Sequence, residues 1–139
     1  MIEKVYRIGL KDLESFVKEF LELFGNGIVI LRGDLAAGKT TFVKTIAKLR
    51  GITDDVTSPT FSLQQCYGEN MYHYDIYNHG LEHFISLGML EELEKDGLHF
   101  VEWGDEELEK TLDAAGFNVA VIEIQKISDD KREYKVCID

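Results

Sequence analysis

Residues 33–40 read Gly33-Asp34-Leu35-Ala36-Ala37-Gly38-Lys39-Thr40, and this stretch decides the fold. It matches the phosphate-loop pattern Gly-x-x-x-x-Gly-Lys-Ser/Thr at every specified position. An apolar run at residues 28–31 precedes it, and residues 40–50 carry apolar side chains at helical spacing. A buried strand, a glycine-rich turn and an amphipathic helix are the context that a phosphate loop requires. The alternative is an ordinary strand-to-helix turn, in which this spacing would be a coincidence.

The chemistry of phosphate binding explains these residue types. Gly33 allows a sharp turn off the strand, and Gly38 allows the backbone to approach a phosphate closely. The backbone N–H groups from Asp34 to Thr41 are expected to surround phosphate oxygens. Lys39 would add a cation at the β- and γ-phosphates, and Thr40 would offer a hydroxyl to Mg²⁺ at a helix start, where the dipole also favours anions. The stretch therefore predicts binding of a nucleoside triphosphate with Mg²⁺.

Two acidic residues come directly after apolar runs. Asp75 follows Met71-Tyr72-His73-Tyr74, and Glu102 follows Leu98-His99-Phe100-Val101. Ligands of open α/β sheets bind at the carboxyl ends of strands, and phosphate-loop enzymes use an acid there to hold the metal or orient water. We predict that both carboxylates serve the metal site or catalysis. The pattern leaves open which of them orients the attacking water, and also whether one merely caps a helix or faces solvent.

The remaining pattern mixes helices with strands. It predicts a helix over residues 10–24, a strand pair at 61–67 and 71–75, and one or two short helices within 81–95. A further helix is predicted over 105–115, followed by strands at 119–127 and 134–138 joined by the polar turn 128–131. This order predicts an α/β fold, a single P-loop NTPase domain over residues 1–139 with a mixed central β-sheet flanked by helices.

Charge and hydropathy restrict the partners. The chain has 45% hydrophobic residues and a formal net charge of -11, which disfavours unaided binding of nucleic acid. A basic protein partner fits this charge, as does a simple role in solubility. No apolar run approaches the roughly 18 residues of a membrane span, and the N-terminus lacks an apolar leader. We expect a cytoplasmic protein without membrane contact.

Several smaller signals leave alternatives open. Ser58 and Thr60, around the only proline, fit either a switch loop that senses the γ-phosphate or an ordinary turn. Trp103 fits either a residue beside the nucleotide or a core aromatic. The four histidines lack a convincing zinc spacing and are interpreted as structural or surface residues. The sequence contains no Asn-Lys-x-Asp motif after the phosphate loop, so guanine specificity has no support.

Taken together, these residues resemble the TsaE family (formerly YjeE), small bacterial ATPases of tRNA threonylcarbamoyladenosine synthesis. The resemblance covers nearly the whole chain. Its specific part is the order of five segments: residues 33–42, Ser58-Pro59-Thr60-Phe61, Tyr72-His73-Tyr74-Asp75-Ile76-Tyr77, Leu87-Gly88 and Val101-Glu102-Trp103.

The resemblance implies a function that composition could not show. Family members bind ATP or ADP with Mg²⁺ and hydrolyse ATP weakly alone. They act with the TsaB–TsaD pair, which transfers threonylcarbamoyl to adenosine 37 of tRNA, so that tRNA is reached indirectly through the complex. By position, Thr40 and Glu102 correspond to the magnesium site, Asp75 to a second functional acid and Thr60 to a switch-like loop. Arg132 corresponds to an arginine that reaches the nucleotide, although a solvated turn residue is an equal interpretation.

Two departures from the family pattern bear on the site. Ala36 stands where the family usually has glycine, so one N–H contact to phosphate is expected to be tighter or shifted. Asn78 stands where the family usually has arginine, and a contact made by that arginine is therefore in doubt here.

Two rival functions fit the phosphate loop. A small-molecule kinase would need extra cations over the transferred phosphate, yet the four arginines are not clustered in a lid-like insert: Arg7, Arg32, Arg50 and Arg132. A nucleotide-gated binding module would use ATP occupancy to set partner affinity, with incidental hydrolysis.

Overall fold

The structure is a computed structural model that describes residues 1–34, 38–53, 64–76, 80–103 and 105–138. Within these ranges the strands are β1 (Ile2–Gly9), β2 (Gly27–Arg32), β3 (Gln64–Tyr67), β4 (Met71–Asp75), β5 (Leu98–Glu102), β6 (Val119–Ser128) and β7 (Lys131–Ile138). The helices are α1 (Leu13–Leu23), α2 (Lys39–Leu49), α3 (Gly80–Ser86), α4 (Met89–Glu92) and α5 (Glu106–Ala114), with a 3₁₀ turn at Leu10–Asp12 before α1.

The strands form one mixed sheet in the order β1-β7-β6-β2-β5-β4-β3. Strands β6, β2, β5 and β4 run parallel at its centre, and β1, β7 and β3 pair antiparallel with their neighbours. Strand β5 is buried along its whole length and β2 along its centre, because helices cover both faces of the sheet. The predicted mixed sheet flanked by helices is confirmed.

Two apolar cores lie on opposite faces of this sheet. The first contains the inward sides of α1 and α2, including Phe16, Phe20 and Phe42. The second contains Phe84 from α3 together with Leu108 and Leu112 from α5. Side chains alternate between the two faces along each strand, so every second residue of a strand reaches the face that carries α2.

Helix α5 begins as its sequence indicates. Asp105 is the residue before the helix, and its carboxylate accepts a hydrogen bond of 2.9 Å from the backbone N–H of Leu108. A capping aspartate satisfies one of the free N–H groups in the first turn. Within the described ranges, no helix combines the length and apolar character that crossing a bilayer requires.

The structure differs from the sequence-based expectation at the amino terminus. The helix predicted over residues 10–24 is shorter, and Leu10 lies in the 3₁₀ turn before it and is 76% exposed. Strand β1 was not predicted. It is an edge strand whose apolar residues lie on both faces, with Val5 exposed and Ile8 partly buried, so its alternation is weak.

Candidate functional site

The predicted phosphate loop lies between β2 and α2. Gly33 has φ of 147° and Gly38 has φ of 108°, both in the left-handed region that favours glycine. A Cβ atom at Gly38 would meet nothing within 4 Å, so the backbone conformation, and not lack of space, requires glycine there. Leu35, Ala36 and Ala37 lie outside the described residues.

Helix α2 begins directly after this turn. Gly38 is the capping residue and has no side chain that could occupy the first N–H groups of the helix. Free N–H groups at a helix start attract anions, and the helix dipole adds to this attraction. Thr40 is partly buried and Thr41 exposed in the first turn. The local geometry therefore fits the predicted phosphate contacts.

Lys39, the first residue of α2, is only 2% exposed. Its Nζ lies 3.7 Å from Glu102 Oε1 and 3.9 Å from the centre of the Trp103 ring. No acceptor in the described part of the chain takes a hydrogen bond from Nζ. A buried ammonium group without hydrogen bonds is costly, and a phosphate would supply the missing acceptors.

The pKa of Lys39 shows the same imbalance. Burial lowers it below its usual value, while the negative charges of Glu102, Asp75 and Asp34 act in the opposite direction. The lowering prevails, so these acids do not fully offset the removal of the ammonium group from water. An additional anion at this point would favour the charged form.

Asp75 and Glu102 are the last residues of two neighbouring parallel strands and lie opposite each other in register. They are 9% and 4% exposed, on the sheet face that also carries α2. The expectation that both acids end strands is confirmed. Their roles in metal binding and catalysis stay predictions.

The side chains predicted to bind the metal offer the oxygen ligands expected for Mg²⁺. Among the described residues, no three His, Cys, Asp or Glu side chains form a group that could hold a metal ion by themselves. Mg²⁺ takes one or two carboxylates and completes its shell with hydroxyl, phosphate and water oxygens. Asp75, Glu102 and the hydroxyl of Thr40 fit this requirement.

His73 contacts this site directly, although its sequence position indicated only a structural or surface residue. His73 Nε2 lies 2.6 Å from Glu102 Oε2, and the imidazole is fully buried. On its other side, Nδ1 lies 3.2 Å from the hydroxyl of Tyr67. The signal that could have revealed His73 is its position two residues before Asp75, which places both side chains on one face of β4.

Trp103 follows β5 with φ of 67°, the one positive value outside glycine in the described part of the chain. This conformation is strained for a bulky residue, and such strain occurs preferentially at functional sites. The ring packs against the second core and also faces Lys39. Trp103 is therefore a partly buried aromatic that packs against the core and contacts the phosphate-loop lysine, and its place beside a nucleotide stays a prediction.

Two cavities flank the loop. One of about 250 Å³ adjoins α2 and is lined by Ile8, Gly9, Leu10, Gly38, Thr41, Asp129, Asp130, Arg132 and Tyr134. The other, of about 500 Å³, is lined by charged and polar side chains with Gly33 and Ile124: Arg32, Asp34, Glu123, Gln125 and Lys126.

Arg132 thus lies beside the start of α2. Its guanidinium donates to the carbonyls of Ser128 and Lys131 at 3.1 and 3.2 Å. Ser58, Thr60 and Asn78 lie outside the described residues.

Comparison with known proteins gives a consistent answer. A family model described as "Threonylcarbamoyl adenosine biosynthesis protein TsaE" matches residues 9–134. The chain is 37% identical over 112 residues to a protein of Treponema pallidum (strain Nichols), covering 78% of this chain and 80% of that one. It is 37% identical over 109 residues to a protein of Bacillus subtilis (strain 168), covering 76% and 66%. Both relatives are described as tRNA threonylcarbamoyladenosine biosynthesis protein TsaE.

A solved structure agrees with the sequence comparison. The crystal structure of YdiB from Bacillus subtilis superimposes with a TM-score of 0.72 at 27% identity, covering 99% of this chain and 87% of that one. YdiB has a P-loop fold, so the arrangement of β2, the loop and α2 is that of a P-loop protein. With the family model matching most of its length, this chain belongs to the TsaE family of threonylcarbamoyl adenosine biosynthesis proteins.

Proposed function

We propose that this protein is a Mg²⁺-dependent ATPase that acts with the TsaB–TsaD pair in forming threonylcarbamoyladenosine at position 37 of tRNA. The observation that carries the proposal is the state of Lys39, a buried cation without a described hydrogen-bond acceptor between Glu102 and Trp103 at the start of α2. Phosphate oxygens would supply the hydrogen-bond acceptors that are missing from the described surroundings of Lys39, which would explain this arrangement.

In the proposed bound state, Lys39 turns from Glu102 towards the β- and γ-phosphates. Backbone N–H groups of the loop and of the first turn of α2 hold the remaining phosphate oxygens. When bound through Asp75, Glu102 and the Thr40 hydroxyl, Mg²⁺ offsets negative charge on the phosphates. Burial of Lys39 and Glu102 strengthens these contacts, since charges interact more strongly where water is excluded.

Glu102 is the proposed residue that orients the attacking water. Its Oε1 faces Lys39 and the start of α2, which is where the γ-phosphate would lie. Once Lys39 moves to the phosphates, Oε1 would accept a hydrogen bond from the attacking water. Asp75 is the alternative, because it ends the neighbouring strand in the same register.

The nucleotide base is proposed to occupy the 250 Å³ cavity beside α2. Tyr134, Ile8 and Leu10 give this cavity an apolar and aromatic wall, which suits a planar base. Arg132 lies at the same wall, and we propose that it contacts the nucleotide there. Both cavities have charged side chains in their walls, but the lining of the larger one has no aromatic residue and suits a base less well.

The net charge of -11 supports an indirect route to tRNA. A strongly acidic surface repels a polyanion, so partner proteins are expected to contact the tRNA. ATP turnover by this chain would then serve the complex rather than a free small molecule.

The test is ATP turnover measured with Mg²⁺, without and with the TsaB–TsaD pair. We expect slow turnover alone, strong stimulation by the pair, and loss of both when EDTA removes Mg²⁺. GTP serves as the matched nucleotide control, and a panel of phosphoacceptors tests the kinase alternative. Unstimulated turnover, or transfer of the phosphoryl group to a small acceptor, would contradict the proposal.

A further inference from the structure

Three adjacent strands carry a continuous set of polar side chains towards Glu102. Tyr67 on β3 contacts His73 on β4, and His73 contacts Glu102 on β5. Each contact is diagonal in the strand register, since Tyr67 lies opposite Met71 and His73 lies opposite Phe100. Tyr67 and His73 are 2% and 0% exposed, in a core that is otherwise apolar.

Apolar side chains would fill this space at lower cost, because buried polar groups must be satisfied to be tolerated. The Tyr67 hydroxyl has one proton, for which Gln65 Oε1 at 2.7 Å competes with His73 Nδ1, and this contact extends the set to the partly buried start of β3. The acceptor at the other end is Glu102, the proposed water-orienting acid.

Hydrogen-bond chemistry fixes the direction of the His73–Glu102 contact. An ionised carboxylate can only accept, so His73 Nε2 carries the proton when Glu102 is charged. At 2.6 Å this is a short, charge-assisted hydrogen bond. The contact between Glu102 and Lys39, at 3.7 Å, is longer.

We propose that His73, braced by Tyr67, is a positioning residue that holds Glu102 for ATP hydrolysis. The inference rests on the function proposed above. When Lys39 turns to the phosphates, Glu102 loses its contact with Lys39, and His73 remains to fix Oε2. Oε1 then points at the reacting centre. His73 itself does not touch the nucleotide.

The chain contains an internal control for this role. On the opposite sheet face, the Tyr74 hydroxyl lies 2.8 Å from His99 Nδ1, and His99 Nε2 donates to the Lys95 carbonyl at 2.7 Å. This second Tyr–His pair is equally buried but does not contact Glu102 or Lys39. Damage to it should affect folding alone.

The experiment compares His73→Asn with His73→Gln. An asparagine amide can replace the imidazole Nδ1 towards Tyr67, whereas a glutamine amide reaches the position of Nε2 and can still donate to Glu102. For each variant we measure kcat for ATP, the dissociation constant of Mg-ADP and the denaturation midpoint. His99→Asn is the matched control.

We expect His73→Asn to lower kcat by roughly 10- to 100-fold, as loss of a supporting hydrogen bond to a site ligand does elsewhere. Mg-ADP binding should change little, and His73→Gln should recover most of kcat. His99→Asn should keep kcat despite a lower denaturation midpoint. If His73→Asn does not fold, Tyr67→Phe tests the same set of contacts and should lower kcat without weakening Mg-ADP binding.

A readout without nucleotide completes the test. In the free wild-type protein, the Nε2 proton of His73 should give a slowly exchanging, hydrogen-bonded NMR signal that shifts in Glu102→Gln. The positioning role is overturned if this signal does not shift in Glu102→Gln, or if His73→Gln loses as much kcat as His73→Asn. If the wild type hydrolyses ATP normally and His73→Asn has the same kcat, the positioning role alone is overturned. Absence of Mg²⁺-dependent turnover in the wild type overturns the proposed function as well.

Discussion

Lys39 Nζ lies 3.7 Å from Glu102 Oε1, and both side chains are almost completely buried. The phosphate-loop cation therefore contacts the strand-end acid. In the proposed complex a phosphate competes with Glu102 for Lys39, while Glu102 keeps its contact with His73. We therefore expect nucleotide binding to change the surroundings of Glu102 through Lys39.

Lys39→Met should weaken nucleotide binding but raise the stability of the fold. We expect Mg-ADP binding to weaken by on the order of 100-fold, because a charge-assisted contact to phosphate is lost. Burial lowers the pKa of Lys39, so the folded state disfavours its charge at neutral pH. Removing that charge should raise the free energy of unfolding of the protein without nucleotide. Calorimetry and urea denaturation measure the two effects.

The control for that substitution is Lys44→Met, at an exposed lysine of the same helix. It should change neither quantity appreciably. Equal Mg-ADP affinity in Lys39→Met and wild type would refute the phosphate contact. A lower free energy of unfolding in Lys39→Met than in wild type would show that burial of the Lys39 charge is not unfavourable.

Fluorescence of Trp103 should report nucleotide binding. It is the only tryptophan in the chain, and the Lys39 ammonium lies 3.9 Å from its ring centre. Mg-ADP should draw Lys39 from the ring and change the emission. In Lys39→Met the emission of the free protein should already differ, and nucleotide should alter it little. Binding seen by calorimetry with unchanged emission would show that Lys39 stays on the ring.

Asp75→Asn should alter the dependence on Mg²⁺ more than the affinity for nucleotide alone. Removing one of the two neighbouring carboxylates takes away a metal ligand and also relieves the repulsion between them. We expect EDTA to weaken ADP binding less in Asp75→Asn than in wild type. Asp105→Asn, at the cap of α5, is the control. An unchanged EDTA effect in Asp75→Asn would remove Asp75 from the metal site.

Stability should fall as the pH drops below about 6.5, the usual histidine pKa in an unfolded chain. Burial lowers the pKa of His99 in the fold, partly opposed by its bond to the Lys95 carbonyl. The unfolded chain therefore takes up a proton that the folded chain does not, which favours unfolding at lower pH. Between pH 7.5 and 5.5, His99→Gln should show a smaller loss of unfolding free energy. Parallel curves for the two proteins would contradict this.

The sequence was informative where one pattern had one structural meaning. The phosphate-loop spacing, the apolar run before it and the acids after two further runs correctly placed Gly38, Lys39, Asp75 and Glu102 at strand and helix ends. Strand β1 was missed because its apolar residues lie on both faces, with Val5 exposed, so its alternation is weak. The role of His73 was also missed, since its contact with Glu102 depends on how β4 and β5 pair. Register between distant strands cannot be read from either strand alone.

The central claim is that ATP hydrolysis at the Lys39–Glu102 site drives tRNA modification. The most direct measurement is the yield of threonylcarbamoyladenosine per tRNA in a reconstituted reaction with TsaB and TsaD, comparing wild type with Glu102→Gln. The two proteins should be compared at Mg-ATP concentrations that saturate each of them. We expect Glu102→Gln to support little modification over repeated turnovers. Full modification by a Glu102→Gln protein that does not hydrolyse ATP would contradict the claim and would instead identify a nucleotide-gated binding module.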